Sequence, residues 1–278
     1  MKALFDTSSL KCSKIITKEY STSFSWGIRL FAPAIRPDIY AIYGFVRYAD
    51  EIVDSFHGYN QEVLFKEFVN DYQNALQRRI SLNPILNAFQ HVVIKYNLQT
   101  YVDDFLKRME ADLYITEYET DAEYKNYIYG SADVVGLMCL RVFVNNNDAQ
   151  FNALKASARY LGSAFQKVNF LRDIKDDTEL LGRSYFPNIK NNNLNNLAKA
   201  DIIKDIESDF NEAYKGIVQL PIESRLGVYL AYKYYLKLLH KLKRMDSKRL
   251  LCERIRISNP LKLVILTKAY IRYKLNVI

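Results

Sequence analysis

The sequence predicts an all-α chain, and three observations carry that reading. Nine glycines and six prolines in 278 residues leave long stretches without turn punctuation, whereas an all-β chain shows turn signals about every 8–12 residues. The stretch QEVLFKEFVNDYQNALQRRI (61–80) sets apolar residues at Val63, Leu64, Phe68, Val69, Tyr72 and Leu76, the spacing of an amphipathic surface helix. Hydrophobic residues make up 49% of the chain, enough for a sizeable core. The length fits one large domain or two; the expectation is one, over residues 1–278, with mostly antiparallel helices around a deep central cavity. Twenty-two tyrosines and fifteen phenylalanines suggest that rings wall this cavity, although most of them serve as ordinary core.

In chain order, residues 13–31 read as a helix containing YSTSFSWGIRLF. Ser21, Thr22 and Ser23 compete for backbone hydrogen bonds there, so they mark a polar patch or a helix break. Pro33 and Pro37 mark a connection, and Pro37 suits the first turn of the next helix, about 38–55. That helix carries Tyr43, Arg47, Asp50 and Asp54. After the 61–80 helix, Pro84 opens another, followed by YVDDFLKRMEADLYITEY with Asp112 at its acidic turn. YKNYIYGSADVVGLMCLRVF places Gly130, Ser131, Ala132 and Gly136 inside an apolar helix. Glycine costs about 1 kcal/mol against alanine there, so a neighbouring helix or a ligand must come close. The run NNNLNNLAKA reads as a surface loop without a domain boundary, because helical periodicity resumes with ADIIKDIESDFNEAYKGIV. A helix over 223–244 carries Tyr235, and Arg254 follows in ERIRI. The final NPLKLVILTKAYIRYKLNVI reads as a core helix with a basic face, or else as a segment lying on a bilayer surface.

A net charge of +8 and a pI near 9.1 invite a nucleic-acid reading, but no zinc-finger, RNA-recognition or basic-zipper pattern supports it. The basic C-terminal region suits anionic lipid or polyanionic substrates equally well. Cys12, Cys139 and Cys252 form no pairing framework, which fits a reducing cytosol. The first residues lack the apolar centre of a secretory signal, and no run of about 18 apolar residues occurs. A cytoplasmic enzyme, with a peripheral place at the inner face of the membrane as the alternative, is expected. His57, His91 and His240 are too scattered for a zinc site, and no Walker loop, GxGxxG, GxSxG or HExxH appears.

The chemistry concentrates in two acidic ladders. In GSAFQKVNFLRDIKDDTELLGRSYFP (162–187), Gln166, Asn169, Asp173 and Asp177 climb one helix face about a turn apart. Carboxylates four residues apart repel by about 0.2–0.5 kcal/mol on an isolated helix, and a single such pair is ordinary on a solvated face. A second pair, Asp50 and Asp54 in AIYGFVRYADEIVD, has Arg47 one turn before it, suited to a bidentate grip on phosphate. Two ladders facing one another would make a diphosphate site. Their oxygens suit Mg²⁺, which binds one or two carboxylates plus substrate phosphates. Arg183 and Tyr185 in GRSYFP stand where a loop could close over the diphosphate.

The motifs DEIVD and NFLRDIKDD, the latter within LGSAFQKVNFLRDIKDDTELLGRSYFP, resemble those of the squalene and phytoene synthases. The likeness runs from STSF near residue 21 to ERIRISNP near residue 253, and the bacterial phytoene synthases are the nearest in form. It implies the isoprenoid synthase fold and head-to-head condensation of two allylic diphosphates. The expected product is phytoene, made from geranylgeranyl diphosphate through a cyclopropyl intermediate. Squalene or a C30 carotene precursor from farnesyl diphosphate is the alternative, with NADPH needed only for squalene. The resemblance implies Mg²⁺, for which Mn²⁺ could substitute, held by Asp50, Asp54, Asn169, Asp173 and Asp177. It also implies substrate contacts from Ser21, Ser23, Phe24, Tyr43, Arg47, Tyr129, Gln166, Arg172, Arg183, Tyr185, Tyr235 and Arg254. Tyr129 and Gly136 would stand in the cavity wall, although ADVV between them departs from the family pattern. Departing diphosphate would act as the base. A class I terpene cyclase would instead show a DDxx(D/E) motif and an NSE-type triad. A non-catalytic binding relative should lack one or more of the four aspartates, and all four are present.

Overall fold

The computed structural model describes residues 1–179, 182–187, 189 and 194–275. Among them the chain is almost wholly helical: α1 (Lys2–Tyr20), α2 (Thr22–Arg29), α3 (Arg36–Asp54), α4 (Gln61–Arg78), α5 (Pro84–Tyr96), α6 (Gln99–Ala111), α7 (Asp121–Ile128), a π-helical turn (Tyr129–Asp133), α8 (Val134–Phe143), α9 (Asp148–Glu179), α10 (Asn196–Ile217), α11 (Ile222–Lys243), α12 (Ser247–Leu250) and α13 (Asn259–Lys274). A lone bridge between Glu117 and Ser184 is the extended pairing seen among these residues.

Local chemistry sets the boundaries. The continuous helix expected over 13–31 is broken at Ser21, whose extended backbone ends α1 and whose Oγ accepts from Phe24 N at 3.2 Å to start α2. Pro37 lies in the first turn of α3, and Pro84 opens α5 behind an Asn83 cap. Thr120 and Glu123 form a reciprocal capping box on α7. Residues 191–193 of the Asn-rich run lie outside the described residues; beyond them Leu194 is buried and Asn195 caps α10.

One half of the core gathers around Phe45 of α3. Its ring stacks on Phe89 with centroids 3.9 Å apart and meets Phe68 and Tyr72 at 5.3 and 5.2 Å. The other half packs against α9, whose 32 residues span about 48 Å at 1.5 Å per residue. Two glycines let its neighbours come close. A Cβ on Gly162 would lie 2.8 Å from Ala132 O, and one on Gly136 would lie 2.9 Å from Ala158 O. These contacts bring the π-turn and α8 hard against α9, as the small residues in that stretch foretold.

The expectation of a core helix at the C-terminus is corrected. Of α13 only Ala269 is buried, while Leu263, Val264, Tyr270 and Ile271 are exposed. The helix packs mainly on α11, which leaves most of its circumference without a neighbour. Among the described residues, no helix is long and apolar enough to cross a membrane.

Candidate active site

A cavity of about 670 Å³ runs between α2, α3, α8, α9, α10 and α11. Its polarity follows from how two helices are written. Both α3 and α9 line it with apolar residues in their N-terminal parts (Ile39 and Ile42; Leu154 and Leu161) and with carboxylates at their C-terminal ends. The cavity therefore has an acidic end and an apolar end.

At the acidic end, Asp50 and Asp54 face Asp173 and Asp177, and arginines are interleaved with them. Arg47 Nη1 lies 3.6 Å from Asp50 Oδ2 and also pairs with Glu51. Arg183 Nη1 lies 2.5 Å from Asp54 Oδ1. Arg172 Nε donates to Asp173 Oδ1 at 2.7 Å, and Arg254 Nε reaches the same oxygen at 2.7 Å. Asp177 forms no ion pair among the described residues. Burial, reinforced by the charges of Asp173 and Asp54, pushes its carboxyl up to about 8. Burial and the neighbouring Asp54 likewise push Asp50 up to about 7. Burial opposes the charge of Arg172, but its hydrogen bond to Asp173 holds it above the ordinary guanidinium value. Burial and mutual repulsion thus hold Asp50 and Asp177 above the ordinary carboxylate range.

Below the acids lies an aromatic collar. Phe24 sits 6.0 Å from the rings of both Tyr43 and Tyr235 and 6.2 Å from Phe165, and Phe165 stacks on Tyr235 at 4.0 Å. The Tyr235 hydroxyl donates to Asn169 Oδ1 at 3.3 Å. Burial pushes the Tyr43 hydroxyl up to about 12, so it stays protonated and able to donate.

Of the residues singled out in the sequence, Ser21, Phe24, Tyr43, Arg47, Asp50, Asp54, Gln166, Asn169, Arg172, Asp173, Asp177, Tyr185, Tyr235 and Arg254 line the cavity, as does Gly136. Three do not. Ser23 is half-buried away from it. Arg183 is a buried clasp rather than an open lid: beyond Asp54, it donates to the carbonyls of Val53 at 3.3 Å and Asp112 at 3.0 Å. Tyr129 points outward, its hydroxyl donating to Asp104 at 3.2 Å and its ring beneath Arg159, so its expected place in the wall is corrected. Seven residues, about two turns of a regular α-helix, separate Tyr129 from Gly136, so regular periodicity puts both on one face. The π-turn takes up an extra residue and rotates Tyr129 out.

Tyr127 takes that wall position, and sequence reasoning missed it. Its hydroxyl donates to Asp112 Oδ2 at 3.3 Å, and its ring lies 5.1 Å from Tyr185. Asp112 also lines the cavity and accepts from Tyr118 at 3.3 Å. Burial pushes its carboxyl up to about 7 despite Arg108 and Arg183 nearby. The signal for Tyr127 was present four residues before the small Ser131, one α-helical turn away on the cavity face.

Residues 17–260 match the family model described as squalene/phytoene synthase. The chain belongs to that family. It is accordingly a prenyltransferase, and members of the family bind prenyl diphosphates. The 15-cis-phytoene synthase of Enterobacter agglomerans is 27% identical, with 90% of each chain covered. That of a Synechocystis strain is 28% identical over 92% of this chain and 83% of the relative. Among solved structures, a dehydrosqualene synthase in complex with ligand superposes with a TM-score of 0.79 at 20% identity, covering 97% of this chain and 98% of the other. The squalene synthase HpnC of Alicyclobacillus acidocaldarius does so at 0.73 and 20%, over 85% and 94%. The fold is thus that of the isoprenoid synthases, as the motifs implied.

Proposed function

We propose that the protein condenses two geranylgeranyl diphosphates head to head into phytoene, through a cyclopropyl diphosphate, in carotenoid biosynthesis. The observation that carries this reading is the pair of acidic ladders, threaded with arginines, at one end of an aromatic-collared apolar cavity. Two diphosphates would lie at the acidic end with their prenyl tails directed toward the apolar end. The phytoene synthase names of relatives matched over most of the chain favour the C40 product.

Mg²⁺ fits the donor set. The oxygens of Asp50, Asp54, Asn169, Asp173 and Asp177 are hard ligands, and Asp177 lacks a cationic partner among the described residues. No three acidic, histidine or cysteine side chains form a ready cage among the described residues; an ion held by one or two carboxylates together with substrate phosphate would not need one. When bound, the metal supplies charge that stabilises the departing diphosphate. Arg47, Arg172 and Arg254 hold the same group electrostatically. As the allylic C–O bond breaks, the rings of Phe24, Tyr43, Phe165 and Tyr235 face the developing cation, and the apolar walls keep water from quenching it. Tyr127 donates its hydroxyl hydrogen to Asp112 in a hydrogen bond and so fixes that carboxyl at the cavity wall. The departing diphosphate takes up the proton lost at the end.

Product analysis tests the proposal. Purified protein is incubated with Mg²⁺ and either farnesyl or geranylgeranyl diphosphate, with and without NADPH, and the hydrocarbons are extracted. Phytoene from the longer substrate without NADPH is expected, and Asp173→Asn should abolish it while the protein stays folded. A C30 hydrocarbon as the main product overturns the chain length, and a cyclised single-substrate product overturns the reaction.

A further inference from the structure

We propose that the Phe31–Phe143 pair is the end wall that sets the longest prenyl chain the cavity accepts; this rests on the prenyl-transfer reading above. Phe31 follows α2 and precedes α3, so it stands at the end of α3 opposite Asp50 and Asp54. Phe143 is the last residue of α8, just before the turn into α9, at the end of α9 opposite Asp173 and Asp177. Both line the cavity, and their rings meet edge to face with centroids 5.1 Å apart. From Asp50 back to Ile39, α3 covers about 16 Å, and from Asp173 back to Leu154, α9 covers about 28 Å, at 1.5 Å per residue. The tail's reach is therefore limited at the aromatic pair rather than at the collar.

The wall cannot retreat. A Cβ on Gly227 of α11 would lie 2.3 Å from Phe31 Cε1 and 2.5 Å from Gly27 O, so the ring already rests on the α11 backbone where α2 crosses it. The Phe31–Ala32 peptide is held at both of its polar atoms: the Phe31 carbonyl accepts from Arg36 Nε at 2.7 Å, and Ala32 N donates to Glu223 O at 2.8 Å. A benzyl side chain so placed is close in size to one isoprene unit. Truncating either ring should lengthen the cavity by one unit, because closely packed surroundings relax only partly into the space left.

The test compares the unaltered protein with Phe31→Ala and Phe143→Ala on farnesyl, geranylgeranyl and the C25 geranylfarnesyl diphosphate, in competition. Each variant should turn over a substrate one isoprene unit longer than the longest the unaltered protein uses, with the kcat/KM ratio of longer to shorter raised about tenfold or more. Gly227→Ala should push Phe31 into the cavity and shift the ratio the other way. Folded variants that keep the original ratio overturn the end wall while leaving the proposed function standing. Should the alanine variants lack a cooperative melt, Phe31→Leu and Phe143→Leu read the same ratio with a smaller volume change. Should the unaltered protein condense none of the three, the function fails. The wall is then read from the longest unreactive thiolodiphosphate analogue that raises Tm in each protein: a longer limit in the variants upholds it, and an equal limit overturns it.

Discussion

Asp177→Asn should make the metal-free protein more stable and inactive at once. Burial and the charges of Asp173 and Asp54 raise the Asp177 carboxyl from 3.8 to about 8 in the folded chain. The folded state therefore keeps a proton that the unfolded state has lost. The associated stability is fully present below pH 3.8 and is lost as pH rises through about 8. At about 1.36 kcal/mol per pH unit, that interval sets a ceiling of about 6 kcal/mol. The carboxyl faces a cavity that water can enter, so screening reduces the cost of its charge to about 1–3 kcal/mol. Asparagine keeps the shape and removes the charge. For a chain of this size the variant should melt about 3–8 °C higher at pH 8.5 without metal, and the gain should vanish near pH 4. Added Mg²⁺ with inorganic diphosphate should stabilise the unaltered protein by binding linkage and the variant much less. Differential scanning calorimetry across pH, with and without these ligands, reads both effects. A Tm difference that does not change with pH would refute the electrostatic reasoning.

Arg183→Met should destabilise by about 2–4 kcal/mol in urea unfolding, because it strips Asp54 of its partner, leaves the Asp112 carbonyl without a donor and removes one of the two donors to Val53, whose carbonyl keeps Gln61. Asp133 is buried in the π-turn, where burial raises its carboxyl to about 6 against the hydrogen bonds from Ser163 and Arg159. Its charge therefore costs stability above pH 6 and nothing below 3.8. Asp133→Asn should gain about 1 kcal/mol at pH 7.5 and nothing at pH 3.5, as denaturant midpoints at the two pH values will show. Tyr127→Phe should lower kcat about tenfold or more while moving stability by less than about 1.5 kcal/mol, since it deletes one hydrogen bond and keeps the ring.

The acidic ladders were legible because four-residue spacing survives intact on long regular helices such as α3 and α9. The break at Ser21 was legible as one of two readings, since hydroxyl clusters signal both caps and patches. What failed depended on irregular geometry. The π-turn is invisible to a 3.6-residue period, and it exchanged Tyr127 for Tyr129. Arg183 looked like a lid residue because GRSYFP follows a helix, yet its partners lie far back in the chain, at Val53, Asp54 and Asp112. The depth of the cavity depends on where glycines let helices cross, at Gly27 against Gly227 and at Gly162 against the π-turn. Composition announces such glycines but not their partners.

The acidic end is closed by bridges between segments distant in sequence: Arg183 to Asp54 across 129 residues, and Arg254 to Asp173 across 81. Such contacts demand large loop closures, so they come late in folding and slow it. During synthesis the helix bearing Asp50 and Asp54 leaves the ribosome long before Arg183 and Arg254 exist, with Asp54 still without its partner. A chain interrupted between Pro187 and Arg254 would hold both motifs but only part of its charge balance. Activity would then switch on abruptly once Arg254 is in place instead of growing with chain length.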